Sequence, residues 1–144
     1  MRINGRWLLC DDGVIRPVIR GEVLADDGSW QPTEFLVDTG ADRTVLSALT
    51  LEELHLQPRV TQDRLGGVGG IVDSVIVETR IRFSHETGNK VTFRGQYAAC
   101  TQVESLDMSV LGRDITSSFA VIVDHPGNVI CLLGQRHRYT IEQD

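Results

Sequence analysis

Apolar and polar residues alternate along most of the chain, which is the pattern of half-buried strands. Residues 14–24 alternate and stop at an Asp-Asp-Gly turn, and residues 30–37 return as the second strand of a hairpin. Residues 75–83 place apolar side chains and a threonine on one face and mainly charged side chains on the other. A turn at 86–89 leads into a further strand at 91–99. These many short strands predict an all-β fold.

Helical spacing is limited to two short segments. Residues 50–53 have the spacing of a capping box, and leucines follow at mostly helical intervals up to Pro58. A second short helix is expected over 113–119, followed by a hairpin over 119–133 and a tail. One or two short helices among many strands favour a closed barrel or a sandwich.

The length fits one domain of ordinary size. The chain has 144 residues, of which 41% are hydrophobic, enough for one sizeable core but too few residues for two full domains. Residues 1–13 end at a turn signal and are interpreted as an N-terminal extension or an edge strand. Residues 14–144 are expected to form the domain itself.

Charge and composition argue against several classes of partner. The formal net charge is -6 with both signs interspersed, whereas nucleic acids and anionic membranes favour a basic face. No apolar run approaches the roughly 18 residues of a membrane span, and none resembles a signal peptide. The four histidines are scattered, so no metal or other cofactor is expected. The widely spaced Cys10, Cys100 and Cys131 indicate free thiols and a cytoplasmic location.

The candidate catalytic residue lies directly after the strand at 30–37. Asp38 comes directly after this apolar strand and is followed by Thr39 and Gly40. A carboxylate at a strand end is displayed at the edge of the core, and glycine allows another backbone to approach closely. Taken alone, however, Asp-Thr-Gly is more often a simple turn.

Three motifs in order change that assessment. Residues 38–46, Asp-Thr-Gly-Ala-Asp-Arg-Thr-Val-Leu, resemble the active-site loop of retropepsins, the retroviral and retrotransposon aspartic proteases. Residues 66–70, Gly-Gly-Val-Gly-Gly, resemble the glycine-rich tip of the family's flap. Residues 111–114, Leu-Gly-Arg-Asp, resemble the motif that opens the family's helix. The resemblance spans roughly residues 14–125 and implies a closed retropepsin-like barrel with a flap hairpin.

The resemblance also implies a role for each matching residue. Asp38 would be the catalytic carboxylate, and Thr39 would hydrogen-bond across a dimer. Asp42 would pair with Arg113 behind the loop, where a forked guanidinium contact is rigid. The implied loop-support set is Thr39, Gly40, Ala41, Asp42 and Arg113. The implied flap and substrate-binding set is Gly66, Gly67, Val68, Gly69 and Gly70.

Aspartic proteolysis needs two carboxylates that share one proton, one acting as base on water while the other donates to the scissile carbonyl. The chain holds no second Asp-Thr/Ser-Gly: Asp73-Ser74 precedes Val75, and Asp124 precedes His125. A two-fold homodimer, in which each subunit supplies Asp38, is therefore expected. Its substrates would be extended, mainly apolar segments of peptides or proteins.

The main alternative is a catalytically silent dimerisation or peptide-binding module with the same fold. Intact Asp38, Thr39 and Gly40 favour the protease, because a binding module has no need of a desolvated carboxylate, which is costly. A serine or metal hydrolase is disfavoured, since the sequence has neither GxSxG nor HExxH. Extra residues before and after the three motifs depart from the compact viral pattern, so we expect a stand-alone cellular or bacterial member.

Overall fold

The structure, a computed structural model, describes residues 1–67, 70–134 and 142–143. The strands in these ranges are β1 (Arg2–Asn4), β2 (Arg6–Leu9), β3 (Ile15–Leu24), β4 (Trp30–Val37), β5 (Val45–Leu46), β6 (Val60–Gly67), β7 (Gly70–Ser84), β8 (Lys90–Cys100), β9 (Ser109–Leu111), β10 (Ala120–Asp124) and β11 (Val129–Leu133). The helices are α1 (Ala48–Leu54) and α2 (Arg113–Thr116), with a single 3-10 turn at Val103–Ser105. The predicted all-β class is confirmed.

The strands form two sheets. The larger sheet has the order β2-β3-β4-β9-β5-β8-β7-β6, and the smaller one the order β1-β11-β10. Most neighbours are antiparallel, but β4 pairs with β9 and β5 pairs with β8 in parallel. β3 also pairs with β7 through Glu22–Arg82 and Val23–Ile81. This pairing joins two strands that are not neighbours in the strand order of the larger sheet. Within the part of the chain that the structure describes, these are the only two residue pairs that join β3 to β7 in the sheet, and the closed barrel stays a prediction.

Charged side chains hold the junction of β3 and β7. The Arg82 guanidinium donates to both carboxylate oxygens of Glu22, at 3.1 and 3.2 Å, and lies 3.9 Å from the centre of the Trp30 ring. The Lys90 ammonium donates to the same carboxylate. Arg82, and then Lys90, hold the pKa of Glu22 below its usual range, because both favour the ionised carboxylate.

The alternating pattern buries mainly one side of the long strands in a single core, although residues 74–77 of β7 and 97–100 of β8 are buried on both sides. On β7 the side chains of Val77, Ile81 and Phe83 are almost inaccessible, as the period of two requires. Phe83 packs edge to face with Phe35 at 5.8 Å and with Phe93 at 6.4 Å between ring centres. These aromatic contacts fix β7 and β8 against β4, the strand that leads into Asp38.

The first nine residues contribute to both sheets. β1 pairs with β11 and β2 pairs with β3, each at an edge of its sheet. Ile3 is 1% exposed and belongs to the core. An added Cβ at Gly5 would lie 2.7 Å from a side-chain carbon of Ile19, so the chain passes close to β3 between the two strands.

The start of α1 differs from the predicted one, whereas that of α2 does not. Ser47, rather than Thr50, is the N-cap of α1: its hydroxyl accepts a hydrogen bond from the Thr50 N–H at 3.3 Å. The backbone of a cap residue is extended, because the residue lies just before the first helical turn. Ser47 has that conformation. α2 begins at Arg113 as expected, and single turns continue it to Phe119. In the ranges that the structure describes, no helix is long and apolar enough to cross a membrane.

Candidate active site

Asp38 stands where β4 leaves the sheet. The parallel pairing of Val37 with Leu111 ends there, and the Asp38 N–H donates to the Leu111 carbonyl at 3.3 Å. Its carboxylate oxygen Oδ1 accepts from the Gly40 N–H at 3.0 Å, and its carbonyl accepts from the Ala41 N–H at 3.2 Å. The half-buried carboxylate is therefore held by a tight loop with one oxygen bound and the other not engaged by this loop.

Arg113 supports this loop from α2. Its guanidinium donates to the Thr39 carbonyl at 2.9 Å and pairs with the Asp42 carboxylate. The backbone follows the same course: Arg113 N–H donates to the Ala41 carbonyl at 2.8 Å, and Asp114 N–H donates to the Asp42 carbonyl at 3.2 Å. The predicted Asp42–Arg113 contact is present, but the fork bridges a carboxylate and a carbonyl instead of both oxygens of Asp42. Four contacts therefore fix α2 to the loop.

Arg113→Lys is expected to lower thermal stability by about 1 kcal/mol or less, because both partners are solvent-exposed, and to reduce any peptide cleavage. A lysine ammonium cannot reach the Thr39 carbonyl and Asp42 with the geometry of a planar fork. Melting curves and cleavage rates measure the two effects. Arg20→Lys, on an exposed β3 position, is the matched control. Equal melting temperature and equal cleavage in the two variants would show that the fork is dispensable.

A second set of hydrogen bonds, which the sequence did not indicate, lies behind the loop. The Thr44 N–H and hydroxyl both donate to the Asp114 carboxylate, the hydroxyl at 2.7 Å. The same hydroxyl accepts from the Gly112 N–H at 3.0 Å. Thr44 is completely buried, so it satisfies polar groups on both β9–α2 and the active-site loop. The only signal for this network is that Thr44 and Asp114 stand inside the two motifs.

The hairpin of β6 and β7 covers the loop. Gly66 pairs with Ile71, and Gly67 pairs with Gly70, whose φ of 109° is accessible to glycine but rarely to other residues. Ile71 is 70% exposed on this hairpin. The two remaining residues of the predicted flap set, Val68 and Gly69, lie outside the described residues. The hairpin shares a cleft with the loop of Asp38, and its role as a flap stays a prediction.

One cleft of about 770 Å³ joins the loop and the hairpin. Its lining includes Asp38, Gly40, Ala41 and Asp42 on one side and Gly66, Gly67 and Gly70 on the other. Apolar side chains outside the predicted site set also line the wall: Val45, Leu65, Val72, Cys100, Leu106 and Val110. Thr39 and Arg113 do not line the cleft. A smaller concavity of about 420 Å³, around Arg59 and Glu78, contains none of the predicted site residues.

Two of the charged residues that line the cleft, Asp42 and Arg43, form ion pairs. Arg43, next to Asp42, forms an ion pair of 3.5 Å with Asp63 on β6, which connects the loop to the hairpin. Burial raises the pKa of the Cys100 thiol, so this lining residue stays protonated at neutral pH. Within residues 1–67, 70–134 and 142–143, no group of His, Cys, Asp or Glu is placed to hold a metal ion.

Comparisons with known proteins agree with this geometry. The aspartyl protease family matches residues 21–115. A retropepsin-like aspartic protease from Rickettsia conorii has a similar structure, with a TM-score of 0.56 and 18% identity over 92% of this chain and 88% of that one. The protease of EIAV, solved with the inhibitor HBY-793, is 29% identical over 71% of this chain and 86% of that one, with a TM-score of 0.48. A search of curated proteins found no match.

The family match covers both the loop of Asp38 and the Gly112-Arg113-Asp114 turn, and ends within α2. It therefore includes the residues whose hydrogen bonds build the site as well as the hairpin that covers it. The Rickettsia structure supports the fold over nearly the whole chain. The chain belongs to the aspartyl protease family and has a retropepsin-like fold.

Proposed function

We propose that this protein is an aspartic endopeptidase, active as a homodimer in which two copies of Asp38 form the catalytic pair. The observation that carries the proposal is the position of Asp38, on one wall of the cleft that lies beneath the glycine-rich hairpin. Family membership supports peptide hydrolysis as the reaction class. Each chain offers one such carboxylate, so a second copy completes the pair.

The surroundings of Asp38 suit its proposed role. Two carboxylates held close together cannot both ionise cheaply, so the pair would share one proton and titrate as a unit. One carboxylate would then remove a proton from the attacking water, while the other donates a proton to the scissile carbonyl. The loop hydrogen bonds and the Arg113 contacts would hold both groups in place during these transfers.

The cleft suits an extended peptide. Its walls combine apolar with polar and charged side chains, and the hairpin beside it would exclude bulk water if it closed on a substrate. Thr39, which is exposed and lies outside the cleft, remains available for a contact with the second subunit. The closed barrel, the cross-subunit Thr39 contact and the cytoplasmic location remain part of the proposal.

The test is cleavage of a diverse peptide mixture at several protein concentrations, from mildly acidic to neutral pH, with products identified by mass spectrometry. Specific activity should rise with concentration and level off where sedimentation shows the dimer. Cleavage that is independent of the monomer–dimer equilibrium would contradict the shared site. A folded dimer that cleaves nothing would instead favour the silent binding module.

A further inference from the structure

Two of the five charged residues that line the cleft form an ion pair with a neighbour. Asp42 pairs with Arg113, and Arg43 pairs with Asp63. Besides Asp38, two charged lining residues remain, Arg64 and Glu104. Among the residues that the structure describes, neither takes part in an ion pair. Together with Asp38, these two side chains are therefore the unpaired charges that a bound peptide would meet.

The two charges stand on different elements of the cleft. Arg64 lies on β6, in the covering hairpin, whereas Glu104 lies in the loop of residues 101–107 that joins β8 to β9. We name this segment the 101–107 loop. It contributes Gln102, Ser105 and Leu106 to the lining as well, so Glu104 is part of the cleft wall, close in sequence to the apolar Leu106. The loop is anchored at both ends by strands that border the active-site loop.

We propose that Glu104 makes this cleft select substrates with a lysine or arginine side chain at the position that contacts the 101–107 loop. This specificity rests on the proposed protease function. A lysine or arginine can lay its aliphatic stem along Leu106 and the neighbouring apolar wall while its charged end reaches the carboxylate. A glutamate or aspartate at the same position would meet a like charge. In a two-fold dimer each subunit supplies one Glu104, so the preference should occur on both sides of the scissile bond.

The size of the preference follows from the exposure of Glu104. Ion pairs between exposed groups contribute little, so the preference for lysine over glutamine should be about two- to fivefold in kcat/KM. It should also decrease as salt is added, because screening weakens contacts between solvent-exposed charges. A hydrophobic preference at the same position would not respond to salt in this way.

The experiment uses a peptide set in which each position around one cleavage site carries lysine, glutamine or glutamate in turn. The ratio of kcat/KM for lysine to that for glutamine is measured for the wild-type protein at low and high salt. It is then measured for Glu104→Gln, which should lose the preference, and for Glu104→Lys, which should prefer glutamate. Asp107→Asn removes the same charge from the same loop at an exposed residue outside the cleft lining, and should keep the wild-type ratio.

The outcomes distinguish failure of the proposed specificity from failure of the proposed protease function. Loss in Glu104→Gln, inversion in Glu104→Lys and retention in Asp107→Asn would support the proposal. Cleavage that depends on Asp38 but shows the same lysine ratio in all variants would overturn the specificity and leave the protease function standing. An equal loss in Asp107→Asn would mean that net charge, not Glu104, sets the preference, which also overturns it. A dimeric protein without Asp38-dependent cleavage would overturn both.

Discussion

Asp38→Asn is expected to lower peptide cleavage by about 10²- to 10⁴-fold, the usual contribution of a positioned acid or base. The amide keeps the size of the carboxyl group, and its oxygen can still accept the Gly40 N–H hydrogen bond that shapes the loop. It cannot take a proton from water at neutral pH, and the variant dimer has lost both carboxylates. The loss should therefore be in kcat, measured on a peptide that the wild-type protein cleaves.

Asp73→Asn is the matched control for this variant. Asp73 also precedes a hydroxyl residue, Ser74, but it is followed by valine instead of glycine, and it does not line the cleft. Cleavage by this control should equal that of the wild-type protein. Melting temperature and dimer content should be the same for all three proteins. Wild-type cleavage by a folded Asp38→Asn protein would falsify the mechanism.

Gly112→Ala is expected to destabilise the fold by about 3 kcal/mol, at the upper end for overpacking, and to lower the melting temperature by about 6–12 °C. An added Cβ would overlap the backbone carbonyl group of Arg43 and lie 2.7 Å from the Thr44 nitrogen. These are backbone atoms of the active-site loop, so they cannot turn aside as a flexible side chain could. The φ of -99° suits any residue, so the lack of space alone demands glycine here.

The added methyl group would also disturb the hydrogen bonds behind the active-site loop. Relief of the overlap would push the loop away from β9–α2, and the Gly112 N–H would lose its bond to the Thr44 hydroxyl. Gly66→Ala provides the control for stability, because an added Cβ there meets no atom within 4 Å and its φ is not positive. Thermal unfolding of the two variants decides the matter. A Gly112→Ala protein with the same melting temperature as the wild-type protein would refute the steric argument.

The strands could be predicted from the sequence because their burial is periodic. Residues 75–83 alternate in polarity, and the structure buries Val75, Val77, Ile81 and Phe83 in one core. The start of α1 could not be predicted from residues 50–53, because two hydroxyl residues compete for the cap. Tertiary contacts decide between them: Ser109 on β9 accepts from the Ser47 N–H at 3.0 Å, which holds Ser47 in the extended conformation that a cap requires.

Some features of the candidate site could likewise be predicted from the sequence, and others could not. The three motifs indicated Asp38, the glycine-rich hairpin and Arg113, because each needs a residue type that few others can replace. They did not indicate the contacts of Thr44 with Asp114, or the charges left unpaired in the cleft. Those depend on which side chains meet after folding: Thr44 and Asp114 are 70 residues apart, and Arg43 and Asp63 come from a loop and a strand.

The sequence by itself determined the all-β class, the position of the candidate catalytic carboxylate and the elements that surround it. Period-two burial and short motifs are local properties, so they can be read without knowing which strands are neighbours. Only the tertiary structure decided that the Arg113 fork bridges Thr39 and Asp42, and that Glu104 faces the cleft. Such contacts join residues far apart in the chain, and their partners are selected by the packing of the whole sheet.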